Sequence, residues 1–226
     1  MEGQEGMKLI SPLKGESIGS KQIILVGIIV LFHLVGLIGL SIPSTRHLFL
    51  SLVPYHLFLM LAVIVISHQN IGSKLLLFVL CLIVLGYIAE WIGVNKHWLF
   101  GNYYYGNTLS IKVFGVPLII GVNWFLLTYS AGVLMQRSRL KSVLLRIIAG
   151  ALLLVLLDIL IEPVAMRFDY WHWTNNIIPF KNYTCWFFTG IVMLLIFEQF
   201  RFKKQSIAGP VLLGAQFVFF IVLHWS

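Results

Sequence analysis

Between Ile23 and Ile42 the chain runs for about 20 predominantly apolar residues, and stretches of that length recur along it. A helix rises about 1.5 Å per residue, so such a run matches the roughly 30 Å hydrocarbon core of a bilayer. Six further candidate spans lie at roughly 48–67, 75–95, 115–135, 143–163, 185–200 and 207–225. Between them fall Pro43, Gly72 and two basic clusters, Arg137/Arg139/Lys141 and Arg201/Lys203/Lys204. Backbone groups in lipid must be satisfied within their own segment, so each span is predicted to be a helix. Hydrophobic residues make up 59% and charged residues 11% of the chain. Soluble domains carry about 45–50% and about 25%, which excludes a soluble globular domain, a disordered chain and a disulfide scaffold. The first run exceeds a signal-peptide core and no small-x-small site follows it, so it is predicted to be retained. The predicted fold is all-α: a polytopic transmembrane bundle of about seven spans.

The formal charge of +8 does not point to nucleic acid, because Lys and Arg sit in short clusters between apolar runs. With the N-terminus inside, the inner segments hold eleven basic residues: Lys8, Lys14, Lys21, Lys74, Arg137, Arg139, Lys141, Arg146, Arg201, Lys203 and Lys204. The outer segments hold five, Arg46, Lys96, Lys112, Arg167 and Lys181. That bias predicts an inner N-terminus and an outer C-terminus. Residues 1–21 read as a polar cytoplasmic tail and 22–226 as one membrane-embedded catalytic domain. The expected location is the cytoplasmic membrane of a prokaryote. Cys81 and Cys185 stand in or beside apolar segments without a CxxC partner, so they suggest neither a disulfide nor a zinc site.

Two loops on the predicted outer face differ from the rest. Loop 96–114 (KHWLFGNYYYGNTLSIKVF) and loop 164–184 (VAMRFDYWHWTNNIIPFKNYT) are long, aromatic and rich in turn formers. Aromatics gather at membrane interfaces in any case. Here, however, they concentrate on one face, and both loops follow helices that carry carboxylates.

Only eight acidic residues exist, three of them in the tail. Glu90 lies late in the third span, Asp158 and Glu162 late in the fifth, Asp169 in the loop beyond, and Glu198 beside Arg201. A carboxylate at the centre of a membrane helix costs about 2.5–3.5 kcal/mol by insertion scales, so such residues face the protein interior and are functional candidates. Asp158 and Glu162 are four apart and share one helix face. Glu90 and Glu162 approach the same leaflet at similar depth. Carboxyl groups crowded in a low dielectric cannot all ionise, and one that keeps its proton is a general acid. Aromatic faces nearby would stabilise a developing carbocation.

Other membrane chemistries lack their residues. No lysine occurs in 207–225 for a retinal Schiff base, and the seven histidines form no HxxxH or HxxHH box. One DxxxE is not the paired Asp-rich motif that binds magnesium diphosphate. No P-loop, dinucleotide fingerprint, nucleophile elbow or transporter-type repeat is visible. What remains is a small acid-lined bundle suited to proton-driven addition, cyclisation or isomerisation of a lipid alkene. A lipid-binding or scaffold protein suits the same residues.

An ordered series of motifs runs from about 85 to 195. It comprises Glu90 and Gly93; Phe100, Gly101, Tyr103 and Tyr105; Gly115, Val116 and Pro117; and Asn123 and Trp124. It continues with Asp158, Glu162, Pro163 and Val164, then Trp171 and Trp173, then Pro179, Asn182 and Trp186. This series resembles the carotenoid biosynthesis membrane protein family, which includes carotenoid 1,2-hydratases and bisanhydrobacterioruberin hydratases. The resemblance implies an enzyme that adds water to the terminal C=C of an acyclic carotenoid, with membrane lipids around it and no metal or redox cofactor. On that reading Glu162 is the acid, Asp158 keeps it protonated, and Glu90 and Asn123 position water. Trp124, Tyr103, Tyr105, Trp171, Trp173 and Asn182 line the end-group site. A cyclase using the same protonation and a non-enzymatic carotenoid-binding protein are the alternatives. Where relatives carry Gly before W-x-W, this chain has Asp169, a place where substrate preference would differ.

Overall fold

The computed structural model describes residues 19–225, so most of the expected polar tail, and Ser226, lie outside the described residues. Seven helices follow one another: α1 (Ser20–Ser41), α2 (Pro43–Ser67), α3 (Ser73–Lys96), α4 (Ile119–Arg137), α5 (Val143–Arg167), α6 (Phe180–Gln199) and α7 (Ala208–Trp225). All seven are long and apolar enough to cross a membrane. The chain is a multi-pass helical membrane protein.

Helix α4 is the axle. It packs against α2, α3, α5, α6 and α7, and 83% of its apolar stretch is buried, against 22–39% in the other six. Its mean hydropathy is also the lowest, 1.3. A span surrounded by protein need not satisfy lipid, so it tolerates Asn123, Thr128, Ser130 and Gln136. The outer helices instead turn Leu, Ile, Val and Phe outward, as in Leu31, Leu34 and Ile38 of α1. In lipid, apolarity does not separate core from surface, and tight packing does.

Several boundaries differ from the sequence reading. Helix α2 begins at Pro43, not near 48, because proline suits the first turn of a helix, where its missing N–H is not needed. Only Ile42 separates α1 from α2. Arg46 Nε and Thr45 Oγ1 donate to Leu40 O and Gly39 O, each at 2.8 Å, and so cap the end of α1. Helix α4 starts at Ile119 instead of 115, since Gly115–Pro117 belongs to a hairpin of β2 (Lys112–Val113) with β3 (Val116–Pro117). Helix α5 passes through Pro163 to Arg167, held by buried Val164 and Ala165 and by Phe168 N–H donating to Val164 O at 3.0 Å. Helix α6 starts at Phe180, five residues early, with Pro179 before it, so Asn182 stands on a helix and not in a loop.

The two aromatic loops meet. Strand β1 (Tyr103–Tyr105) pairs antiparallel with β4 (Trp171–Trp173), with Tyr103 opposite Trp173 and Tyr105 opposite Trp171. Flanking bonds from Thr174 N–H to Asn102 O (3.0 Å) and Gly106 N–H to Tyr170 O (2.9 Å) lengthen the ribbon. It lies across the ends of α3 and α5, at what is called here the ribbon end of the bundle.

Candidate active site

The Y-x-Y and W-x-W patterns alternate, and a strand sends alternate side chains to opposite faces. Tyr103, Tyr105 and Trp173 are buried on the inner face, while Tyr104 is exposed on the other. These three, with half-buried Trp171, reach two carboxyl groups that the bundle holds below them.

Glu90 sits one turn before Gly93 near the end of α3. Tyr103 and Tyr105 donate their hydroxyls to Glu90 Oε2 at 2.6 and 2.7 Å, and Trp124 Nε1 donates to Oε1 at 2.9 Å. Charge-assisted hydrogen bonds are worth about 1.5–3 kcal/mol each, so three of them offset the cost of placing one carboxylate in the membrane. Gly93 is required for this. A Cβ there would meet the Tyr103 hydroxyl and come within 2.9 Å of the Phe100 ring. Burial first, and the Glu90 carboxyl second, hold both phenols well above their ordinary range, so they remain O–H donors.

Glu162 on α5 accepts from Trp171 Nε1 at 2.9 Å and Trp173 Nε1 at 2.6 Å, both on Oε2, and from Asn182 Nδ2 at 3.0 Å on Oε1. The same Asn182 nitrogen donates to Asp158 Oδ2 at 2.7 Å. Asp158 Oδ1 has no partner among the described residues, and the residue is fully buried. Asp158 and Glu162 are therefore a bridged pair, joined through one amide of α6.

Glu90 and Glu162 face a chamber of about 20 Å³, room for about one water molecule. Tyr103, Tyr105, Trp124, Trp171, Trp173, Asn123 and Asn182 line it too. Asp158 does not; it stands behind Asn182. Phe100, Ile120, Ile161 and Trp186 complete the wall. Trp186 stacks on Trp124 with ring centres 4.3 Å apart. The roles of these four were not assigned from sequence, although Phe100 and Trp186 sit inside the motif series.

Beside the chamber lies an apolar groove of about 400 Å³ between α1, α2, α4 and α7. Ile120, Asn123, Ile161 and Trp171 line both spaces and form their common wall. No hydrogen bond among the described residues reaches the Asn123 side chain, leaving its amide available. Every site residue named from the sequence thus lies at one place, and only Asp158 is outside the chamber. The aromatics differ from expectation in what they offer: each of the four on the ribbon, and Trp124, presents an N–H or O–H to a carboxyl group. Among the described residues no cluster of three or more His, Cys, Asp or Glu is grouped to hold a metal ion.

A model of the family described as carotenoid biosynthesis protein matches residues 51–225, which includes the whole chamber. The chain belongs to the carotenoid biosynthesis protein family. A curated relative, the bisanhydrobacterioruberin hydratase of Haloarcula japonica, is 27% identical over 128 residues. That stretch is 54% of this chain and 43% of the relative, so the chain matches less than half of that protein's length. No solved structure matches the chain.

Asp169 has a structural place in this family member. Its backbone is left-handed (φ 57°), a conformation that Gly, Asn and Asp tolerate best. Its carboxylate accepts from Asn107 N–H at 2.8 Å and pairs with His172 Nε2 at 2.7 Å, clasping loop to ribbon. The Asn107 N–H, and then His172, hold that carboxyl below the usual range.

Proposed function

We propose that this family member is a hydratase that adds water across the terminal C=C of an acyclic carotenoid by acid catalysis. The observation that carries the reading is the chamber itself: two buried carboxyl groups facing a space for one water, beside an apolar groove large enough for part of a polyene. In this mechanism the polyene lies in the groove and presents its terminal C=C to the chamber at the common wall of Asn123 and Trp171. Asp158 and Glu162 hold one proton between them, because two like charges bridged by a single amide in a low dielectric are disfavoured. Glu162 delivers that proton to the less substituted alkene carbon, and the π bond becomes a C–H bond and a tertiary cation. Water held by Glu90 and Asn123 attacks the cation, its oxygen forming the C–O bond, and Glu90 takes the proton released. Return of that proton to Glu162 resets the site, so the net change is one water added. The faces of Trp124 and Trp173 stabilise the cation while it exists.

The name of the Haloarcula relative supports this reading, as do two carboxyl groups, Glu90 and Glu162, on one water-sized space. The runner-up, cyclisation, uses the same proton but needs no water. Expression in a host that accumulates an acyclic carotenoid separates the readings by product mass. Hydration adds the mass of one water at each reacted end; an unchanged mass with a new ring identifies a cyclase, and unaltered pigment overturns both.

A further inference from the structure

The groove is lined mostly by apolar side chains; apart from Asn123 and Trp171 at the common wall and the hydroxyls of Tyr55 and Tyr170, its polar side chains come from three helices. His33 of α1, His56 of α2 and Gln216 of α7 all line it. The His33 and His56 rings meet edge-on with centres 4.7 Å apart. His33 also packs on Phe219, three residues beyond Gln216, at 5.9 Å. Three helices therefore bring three polar groups to one groove inside a membrane-spanning bundle.

These groups are short of partners. His33 Nδ1 donates to Ile29 O at 2.8 Å, which leaves Nε2 of the neutral ring as an acceptor. No hydrogen bond among the described residues reaches His56. Gln216 is 7% exposed, and its Oε1 has no partner among the described residues. A buried polar atom left unpaired costs about 1–3 kcal/mol, so Gln216 Oε1 beside a ligand groove is costly unless a ligand completes it. Packing alone would be served better by Leu and Phe.

We infer that His33, His56 and Gln216 form a second subsite, which binds a hydroxyl group carried on the polyene some way from its reacting end. The class of ligand rests on the carotenoid reading above; the subsite itself rests on the unpaired Gln216 Oε1 and on the ring nitrogens of His33 and His56 that no hydrogen bond among the described residues reaches. A hydroxyl fits best because its single O–H donates to one of the two acceptors, His33 Nε2 or Gln216 Oε1, while its oxygen accepts from the Gln216 amide N–H. A ketone supplies no donor and leaves both acceptors unmet. A plain hydrocarbon leaves all of them unmet. The subsite would select substrates that already carry oxygen, and would place an oxygen-introducing reaction earlier in the sequence.

The test is equilibrium binding, read from quenching of tryptophan fluorescence in the detergent-purified full chain. The probes are three acyclic polyenes of equal length: a hydrocarbon, a ketone, and an alcohol with its hydroxyl several carbons from one end. The wild type should bind the alcohol about fivefold more tightly than the hydrocarbon, the gain of one net hydrogen bond, with the ketone between. Gln216→Leu and His56→Phe should each reduce that preference and leave hydrocarbon affinity unchanged. Equal affinity of the wild type for all three probes overturns the subsite, and this arm stands even if a variant fails to fold. A variant that weakens alcohol and hydrocarbon equally also overturns it. Because the readout is binding, absence of hydration activity would count against the proposed reaction and not against the subsite.

Discussion

At Asn182 a single side-chain nitrogen serves two carboxyl groups, 2.7 Å from Asp158 and 3.0 Å from Glu162. Asn182→Ala would leave Asp158 with no donor at all and Glu162 with only its two indole partners. Turnover should fall at least about a hundredfold. Stability should drop by about 1–3 kcal/mol, the cost of stranding buried polar atoms, measurable as a lower unfolding temperature in detergent. Glu90→Gln tests the base. The amide still accepts at its oxygen but cannot take a proton, and its N–H₂ would face the donors Tyr103 and Tyr105 or Trp124. Activity should fall by about 10²–10⁴ with polyene binding retained. The sequence made the carboxyl groups conspicuous, since ionisable residues in apolar spans are rare. It did not reveal their donors. Tyr103 is 13 residues from Glu90 and Asn182 is 24 from Asp158, and only the folded chain brings such partners together.

Among the elements, the ribbon was the least legible from sequence. In sequence both loops show only turn formers and aromatics, although Y-x-Y and W-x-W carry the period of two that marks a strand. Three residues are too few for that pattern to register, and the pairing joins segments about seventy residues apart. The helices were legible because apolar length alone defines them, while their ends depended on proline and glycine geometry. Gly93→Ala tests how ribbon and helix fit. The added methyl should displace Tyr103 from Glu90, destabilise the protein by about 1–3 kcal/mol, and lower activity. Tyr103→Phe in the same chain should recover stability but not full activity, a coupling that a double-mutant cycle measures. The Asp169 clasp makes a pH statement. Its carboxyl lies below its unfolded value of about 3.9, so its contribution is present above that pH and is lost as pH falls through the lower folded value. The clasp's share of stability, read as the difference in unfolding temperature between wild type and Asp169→Gly, should therefore be unchanged from pH 7 to pH 5. Asp169→Gly keeps the left-handed backbone but removes the clasp, so exchange of the amide hydrogens at 103–107 should quicken.

At the scale of the whole molecule, one end of the bundle carries the chemistry and the other carries basic loops. The charge bias predicts that the ribbon end faces outward. Reporter fusions in 102–112 should then score external and fusions within 136–141 cytoplasmic; the reverse would invert the membrane orientation and leave the site intact. In the proposed mechanism a carboxyl group facing a one-water chamber protonates a membrane-bound alkene. Glu162→Gln tests it most directly, because the amide preserves volume and acceptor oxygen while removing the transferable proton. Turnover of an acyclic carotenoid should be measured in membranes with protein level and polyene affinity matched to wild type. Hydrated product should fall by about 10²–10⁴. Hydrated product at near wild-type rate from Glu162→Gln would contradict that mechanism.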